Sequence, residues 1–203
     1  MDKKIILDLC GGTGAWSKPY SDGGYCVINV TLPQCDVTKT VFNYRGCIRF
    51  RGPEGNVVHV VAIDRIHGIL AAPPCTEFSL AKGSLPRDFD SAMKVVEACM
   101  KIIWEVRIRV SLNFWALENP RGFLRQFLGK PAYHFEGWWF GDNIKKPTDL
   151  WGYFSEPKKK RDAIKPDYPR KGKGSWAHRA GGGDPKRSIT PTCFARAFFK
   201  ANP

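Results

Sequence analysis

The sequence predicts an α/β fold: a mostly parallel sheet flanked by helices, interrupted by one inserted β-hairpin. Short apolar runs of strand character alternate with helical periodicity, the first run ends in a glycine-rich turn, and one turn-rich stretch breaks the alternation. A chain of 203 residues can build one such domain with a substantial core but not a second full-sized one, so residues 1–203 are read as a single domain.

The elements follow in order. Lys4 to Leu9 reads as a strand, Cys10-Gly11-Gly12-Thr13-Gly14 as a tight turn, and Ala15-Trp16-Ser17 as a helix start, with Gly23-Gly24 ending that helix. Tyr25 to Val30 is a second strand. Within 44–63, Cys47 to Phe50 and Val57 to Val61 flank Arg51-Gly52-Pro53-Glu54-Gly55-Asn56, which marks the hairpin insertion. His67 to Ala72 is a buried-type strand running into Pro73-Pro74-Cys75. Ala92, Val95, Val96, Cys99, Ile102, Ile103 and Val106 recur at three- and four-residue intervals, predicting an amphipathic helix over 89–110 capped by Asp88 or Asp90. Phe114 to Leu117 is a strand ending at Glu118-Asn119-Pro120. Residues 155–188, with Lys158-Lys159-Lys160-Arg161, Lys171-Gly172-Lys173-Gly174 and Gly181-Gly182-Gly183, lack apolar periodicity and read as a basic, loop-rich segment. Thr190-Pro191 opens a last helix with Phe194, Ala197 and Phe198 on one face.

Composition narrows the function classes. Apolar residues make up 43% and charged residues 25%, within the globular range, and the longest apolar runs fall far short of the roughly 20 residues a spanning helix needs. Without a long apolar stretch or a cleavage site near the start, a cytoplasmic protein with no membrane association is expected, and a monomer. Seven cysteines without Cys-x-x-Cys spacing argue against a disulfide framework and a zinc ribbon. His59, His67, His134 and His178 are scattered, so no metal is expected. The net charge of +13 attracts polyanions, and most of it lies after Leu150, where 13 basic residues face 4 acidic ones. Nucleic acid is the expected partner, although a ribosomal or chromatin protein shares such a bias.

In an open parallel sheet, ligands bind beyond the carboxyl ends of the strands. Three such ends carry unusual residues here: Asp8 to Gly14, Pro73 to Cys75 and Glu118 to Pro120. The glycine turn lets backbone approach a nucleotide-like ligand, though a tight turn alone has the same pattern. Cys75 follows two prolines at a strand end, which puts a thiol on a rigid loop; an ordinary cysteine beside a strand is inert packing. Glu118 has apolar neighbours behind it, and the resulting desolvation is expected to raise its pKa for proton transfer.

Together the three motifs resemble the DNA (cytosine-5) methyltransferase family over residues 4–125, most of all its compact phage-encoded members. Asp8-Leu9-Cys10-Gly11-Gly12-Thr13-Gly14 is similar to its S-adenosylmethionine (SAM) motif, Pro73-Pro74-Cys75 to its nucleophile motif, and Glu118-Asn119-Pro120 to its Glu-Asn-Val motif. Arg187-Ser188-Ile189-Thr190-Pro191 is a weaker echo of its C-terminal Arg-x-Leu-Thr-Pro. The resemblance implies a class I SAM-dependent, Rossmann-like methyltransferase acting on cytosine carbon 5 in duplex or single-stranded DNA, in the cytoplasm of a bacterial host. It makes Cys75 the nucleophile and Glu118 the acid. It gives Pro73, Pro74, Asn119 and Arg121 to the target base, and Asp8, Cys10, Gly11, Gly12, Gly14, Trp16 and Asp36 to SAM. Lys158, Lys159, Lys160, Arg161, Lys171 and Lys173 are expected to contact phosphates, with Trp151, Tyr168 and Trp176 as stacking platforms; Trp138-Trp139-Phe140 reads as core.

The chain departs from the family pattern in several places. Cys10 stands where the family has Phe, and Asn29 and Thr31 stand where strand two carries an acidic residue for the ribose. The arginine that supports the flipped cytosine has no clear counterpart; Lys145-Lys146-Pro147-Thr148-Asp149 lies in that region. The large target recognition domain is missing, with the basic segment 155–188 in its place. An RNA cytosine-5 methyltransferase and a catalytically decayed, DNA-binding scaffold are the alternatives.

Overall fold

A computed structural model describes residues 3–43, 45–169 and 188–203. A six-stranded sheet forms the centre, in the order β2-β1-β6-β7-β9-β8. Its strands are β1 (Ile5–Leu9), β2 (Cys26–Val30), β6 (Ile66–Ala71), β7 (Phe114–Pro120), β8 (Tyr133–Glu136) and β9 (Pro147–Tyr153). The first four are parallel neighbours; β9 runs antiparallel to both β7 and β8, so the sheet is mixed, with one strand reversed. The remaining strands, β3 (Asp36–Phe42), β4 (Cys47–Arg51) and β5 (Val57–Ala62), form a separate antiparallel sheet. The predicted hairpin is therefore β4–β5, but the insertion begins earlier, because β3 pairs with β4.

Among the described residues, few helices cover the central sheet. They are α1 (Lys18–Asp22), α2 (Phe89–Arg107), α3 (Leu124–Leu128) and α4 (Thr192–Ala201). Side chains alternate along each strand, and so divide the core in two. Ile5, Leu7, Leu9, Ile69, Trp115 and Leu117 pack with α2 and the small sheet on one face. Ile6, Leu70, Phe114 and Ala116 pack with Trp16 and Tyr20 and with Phe194 and Phe198 of α4 on the other. Five buried residues of α2 anchor it, each full burial contributing about 1.5–3 kcal/mol. Asp88 caps this helix by accepting from the Ser91 N–H at 2.9 Å.

Other sequence expectations shift. The glycine turn continues to Ser17 before α1 begins, and α2 stops at Arg107 rather than 110. Strand β7 does not end at Leu117 but runs on through Glu118-Asn119-Pro120, because β9 pairs with those residues. Pro191, not Thr190, is the N-cap of α4; the Asp142 carboxylate accepts from the N–H groups of Cys193 and Phe194, both at 3.0 Å. Ala197 packs, partly buried, against the same cluster as Phe194 and Phe198, as expected, and Ala195 is buried as well. Residues 155–169 form no helix or strand, as expected; Lys171, Lys173, Trp176 and Arg187 lie outside the described residues. No helix among the described residues is long and apolar enough to cross a membrane.

Candidate functional site

The order of the central sheet reverses at β1: β2 lies to one side of it, β6 and β7 to the other. Such a switch point opens a crevice at the carboxyl ends of the strands. Leu9, Ala71 and Leu117 lie in one register row across β1, β6 and β7. The next residues along these three adjacent strands are therefore Cys10, Ala72 and Glu118, so the glycine turn, the Pro73–Cys75 loop and the Glu118 strand leave one edge together.

The glycine turn is built around a buried carboxylate. Asp8 is fully buried and its Oδ2 accepts from Ser17 Oγ at 2.5 Å, while Oδ1 has no partner. Burial pushes its pKa up to about 6, the Ser17 hydroxyl pulling part of the way back. A Cβ on Gly11 would lie 2.3 Å from the Asp8 carboxyl group, so only glycine fits there. Cys10, Gly12 and Gly14 have φ of 57°, 54° and 73°. Asn29 and Thr31, at the end of strand two, hold this turn: Asn29 Nδ2 donates to Gly12 O at 3.1 Å and Gly12 N–H donates to Thr31 Oγ1 at 3.3 Å.

Cys10 and Trp16 have core environments. Cys10 turns toward α2, its Sγ 3.9 Å from that of Cys99, and this contact together with burial holds the Cys99 thiol well above its ordinary pKa. Trp16 is 2% exposed, its ring 5.4 Å from Phe198 and 6.0 Å from Phe194. Trp16 thus packs in the core between the turn before α1 and α4. Asp36 begins β3, and its carboxylate is engaged by the N–H of Thr38 at 2.9 Å and its hydroxyl at 2.6 Å.

Cys75 is half-buried on the loop after β6, and its carbonyl accepts from Phe78 N–H and Ser79 N–H. The seven cysteines all lie among the described residues and none is disulfide-bonded. Glu77, two residues on, accepts from Lys82 Nζ at 2.6 Å and from Asp88 N–H at 2.8 Å, bonds that hold its carboxyl below the usual range. Arg87 donates to the carbonyls of Glu77, Ser79 and Gly83. This network fixes the segment from Cys75 to the start of α2, and nothing in the periodicity of the sequence signals it.

Glu118 has a cationic neighbour the sequence does not announce: Lys146 Nζ lies 3.6 Å from its Oε1, both side chains 13% exposed. Asn119 is fully buried, its Nδ2 donating to Pro73 O at 3.0 Å, which makes it a link between β7 and the cysteine loop. Arg121 is exposed, its N–H donating to Pro147 O. Beside Asn119 in register lies the fully buried Asp149. Burial raises its pKa, but a two-pronged bond from Arg125, both arms 2.6 Å, and His134 at 2.7 Å bring it below its ordinary value.

Trp151 is buried in β9, its Nε1 donating to Gly129 O, and Tyr168 is buried with its hydroxyl bonded to Lys145 and Asn143. Neither offers a stacking face, which corrects that expectation. Phe140 is core as expected; Trp138 and Trp139 are half-buried. Lys158, Lys159, Lys160 and Arg161 are all exposed. Among the described residues no group of three His, Cys, Asp or Glu could hold a metal ion.

For a cofactor such as SAM, the turn offers a cradle open at Gly12, where a Cβ would meet nothing within 4 Å, and Asp8 Oδ1 and Asn29 Oδ1 are buried acceptors without a hydrogen-bond partner. Comparison with known proteins finds no matching family model and no matching curated sequence.

Proposed function

We propose that the chain is a cytosine-5 methyltransferase acting on DNA, with a class I SAM-dependent fold. The observation that supports this best is the placement of the glycine turn, the Cys75 loop and Glu118 on three adjacent strands just past one register row, with the Asn119–Pro73 hydrogen bond tying the strand of Glu118 to the Cys75 loop. In this reading the Cys75 thiolate adds to cytosine carbon 6, forming the S–C6 bond and giving carbon 5 the electron density of an enamine. Glu118 holds a proton at ring nitrogen 3 during the addition, with the Lys146 ammonium as a second donor beside it. SAM, when bound on the glycine turn, supplies the methyl group for carbon 5. Loss of the carbon 5 proton to solvent, with the S–C6 electron pair leaving on sulfur, then restores the ring and the thiolate. The base reaches Cys75 only outside the helical stack, so single strands are the least costly substrate.

The test is nucleoside mass spectrometry of duplex and single-stranded DNA incubated with SAM and either wild-type protein or Cys75→Ser. 5-Methyldeoxycytidine made by wild type alone is the expected result; its formation by both proteins would remove Cys75 from the mechanism, and none from either would remove the enzyme.

One observation favours a second reading, a scaffold that no longer methylates: both polar groups of the Gly12 peptide are engaged by Asn29 and Thr31. Calorimetric titration with SAM separates the two. A scaffold shows no binding at millimolar cofactor.

A further inference from the structure

On the sheet face that carries α4, a cavity of about 720 Å³ opens between that helix and the segment after β9. Lys158 and Lys160 line one wall, Arg196 and Lys200 the other, and Phe140 contributes to the apolar part; Glu156 is its single carboxylate. The arrangement has a local cause. Lys160 N–H donates to Trp139 O at 2.9 Å, and Lys159 Nζ sits 3.6 Å from the centre of the Trp139 ring, a cation–π contact. With Lys159 held against Trp139, its neighbours on either side, Lys158 and Lys160, line the cavity. Arg196 and Lys200 stand four residues apart on α4, the spacing that puts two side chains on one helix face. No ion pair among the described residues uses any of the four cations.

Four like charges around one cavity repel, and a bound anion relieves that repulsion. We propose that this cavity is a phosphate-binding groove for a nucleic-acid strand, with Arg196 and Lys200 as phosphate-contacting residues opposite Lys158 and Lys160. The polyanion is chosen because the excess of cations continues along the segment after Leu150, so a strand can pass from the cavity onto Lys159 and Arg161. The inference shares with the proposed function only the choice of nucleic acid. It does not depend on methyl transfer.

The experiment measures fluorescence anisotropy of a labelled single-stranded DNA with Cys75→Ser protein, without SAM, across a salt series. Arg196→Gln/Lys200→Gln and, separately, Lys158→Gln/Lys160→Gln are expected to weaken binding about tenfold. Each should also flatten the slope of log Kd against log salt by about 1.4, since each neutralised phosphate contributes about 0.7 on single strands. The control is Lys94→Gln/Lys101→Gln, two exposed positions on α2 across the sheet, expected to change neither. All six positions are exposed, and circular dichroism checks the fold of each variant. Equal losses in the α2 control, unchanged binding in the cavity variants, or no DNA binding by the starting protein would each overturn the proposal. Displacement of DNA by inorganic phosphate beyond its effect on ionic strength would overturn it too, by showing a small-anion site. Because SAM is absent, failure here leaves the mass-spectrometric test of methyl transfer independent.

Discussion

Asn119 Nδ2 donates to the carbonyl of Pro73 across 46 positions of sequence, tying the strand that carries Glu118 to the loop that carries Cys75. Two more contacts continue the seam: a bridge between Ser79 and Gly122, and the Phe123 N–H donating to Phe78 O at 2.8 Å. Asn119 is fully buried, so its loss leaves a small cavity and an unpaired carbonyl. Asn119→Ala should therefore cost about 1–3 kcal/mol in urea denaturation. A cost below about 0.5 kcal/mol would show that the seam holds without this bond.

Much of this arrangement is legible in the sequence. Short continuous apolar runs give β1, β6 and β7, which are buried on both faces, and helical spacing gives α2, which is buried on one. The reversal of β9 is not legible, since a strand buried on both faces reads the same in either direction. The place of Trp16 after the glycine turn says nothing of its neighbours, which are Phe194 and Phe198. Contacts between residues so far apart in sequence leave no local signal. Nothing in the stretch Lys145 to Asp149 announces a partner for Glu118, and only the fold shows that Lys146 meets it.

The buried Asp8 makes stability depend on pH. Its folded pKa of about 6 lies above the ordinary 3.8, so between these values the folded state holds more proton than the unfolded chain. Stability from this group is thus fully present below pH 3.8 and is lost as pH rises through about 6, a difference of about 3 kcal/mol at about 1.4 kcal/mol per unit. Asp8→Asn keeps an acceptor for Ser17 and removes the charge. It should be more stable than wild type at pH 7 and converge with it near pH 4, read from urea midpoints across that range. A constant difference between the two proteins would mean that Asp8 does not titrate in this window.

Gly11 and Gly12 stand side by side but resist substitution for different reasons. A Cβ on Gly11 would fall 2.3 Å from the Asp8 carboxyl group, which Ser17 and full burial hold in place. At Gly12 the space is open, and the obstacle is φ of +54°, which costs an L-residue about 1–2 kcal/mol. The neighbouring Cys10 already bears the same conformation at 57°. Gly11→Ala should accordingly lower stability well beyond 2 kcal/mol, or shift the turn, while Gly12→Ala loses about 1–2 kcal/mol and keeps the native fold. Under the methyltransferase reading Gly12→Ala has a second effect, because its methyl group occupies the open side of the cradle and weakens SAM binding more than its stability loss explains. Thermal denaturation with and without SAM reads both quantities. Should Gly12→Ala prove the more destabilising of the two, the packing of Asp8 against Gly11 is not what shapes this turn.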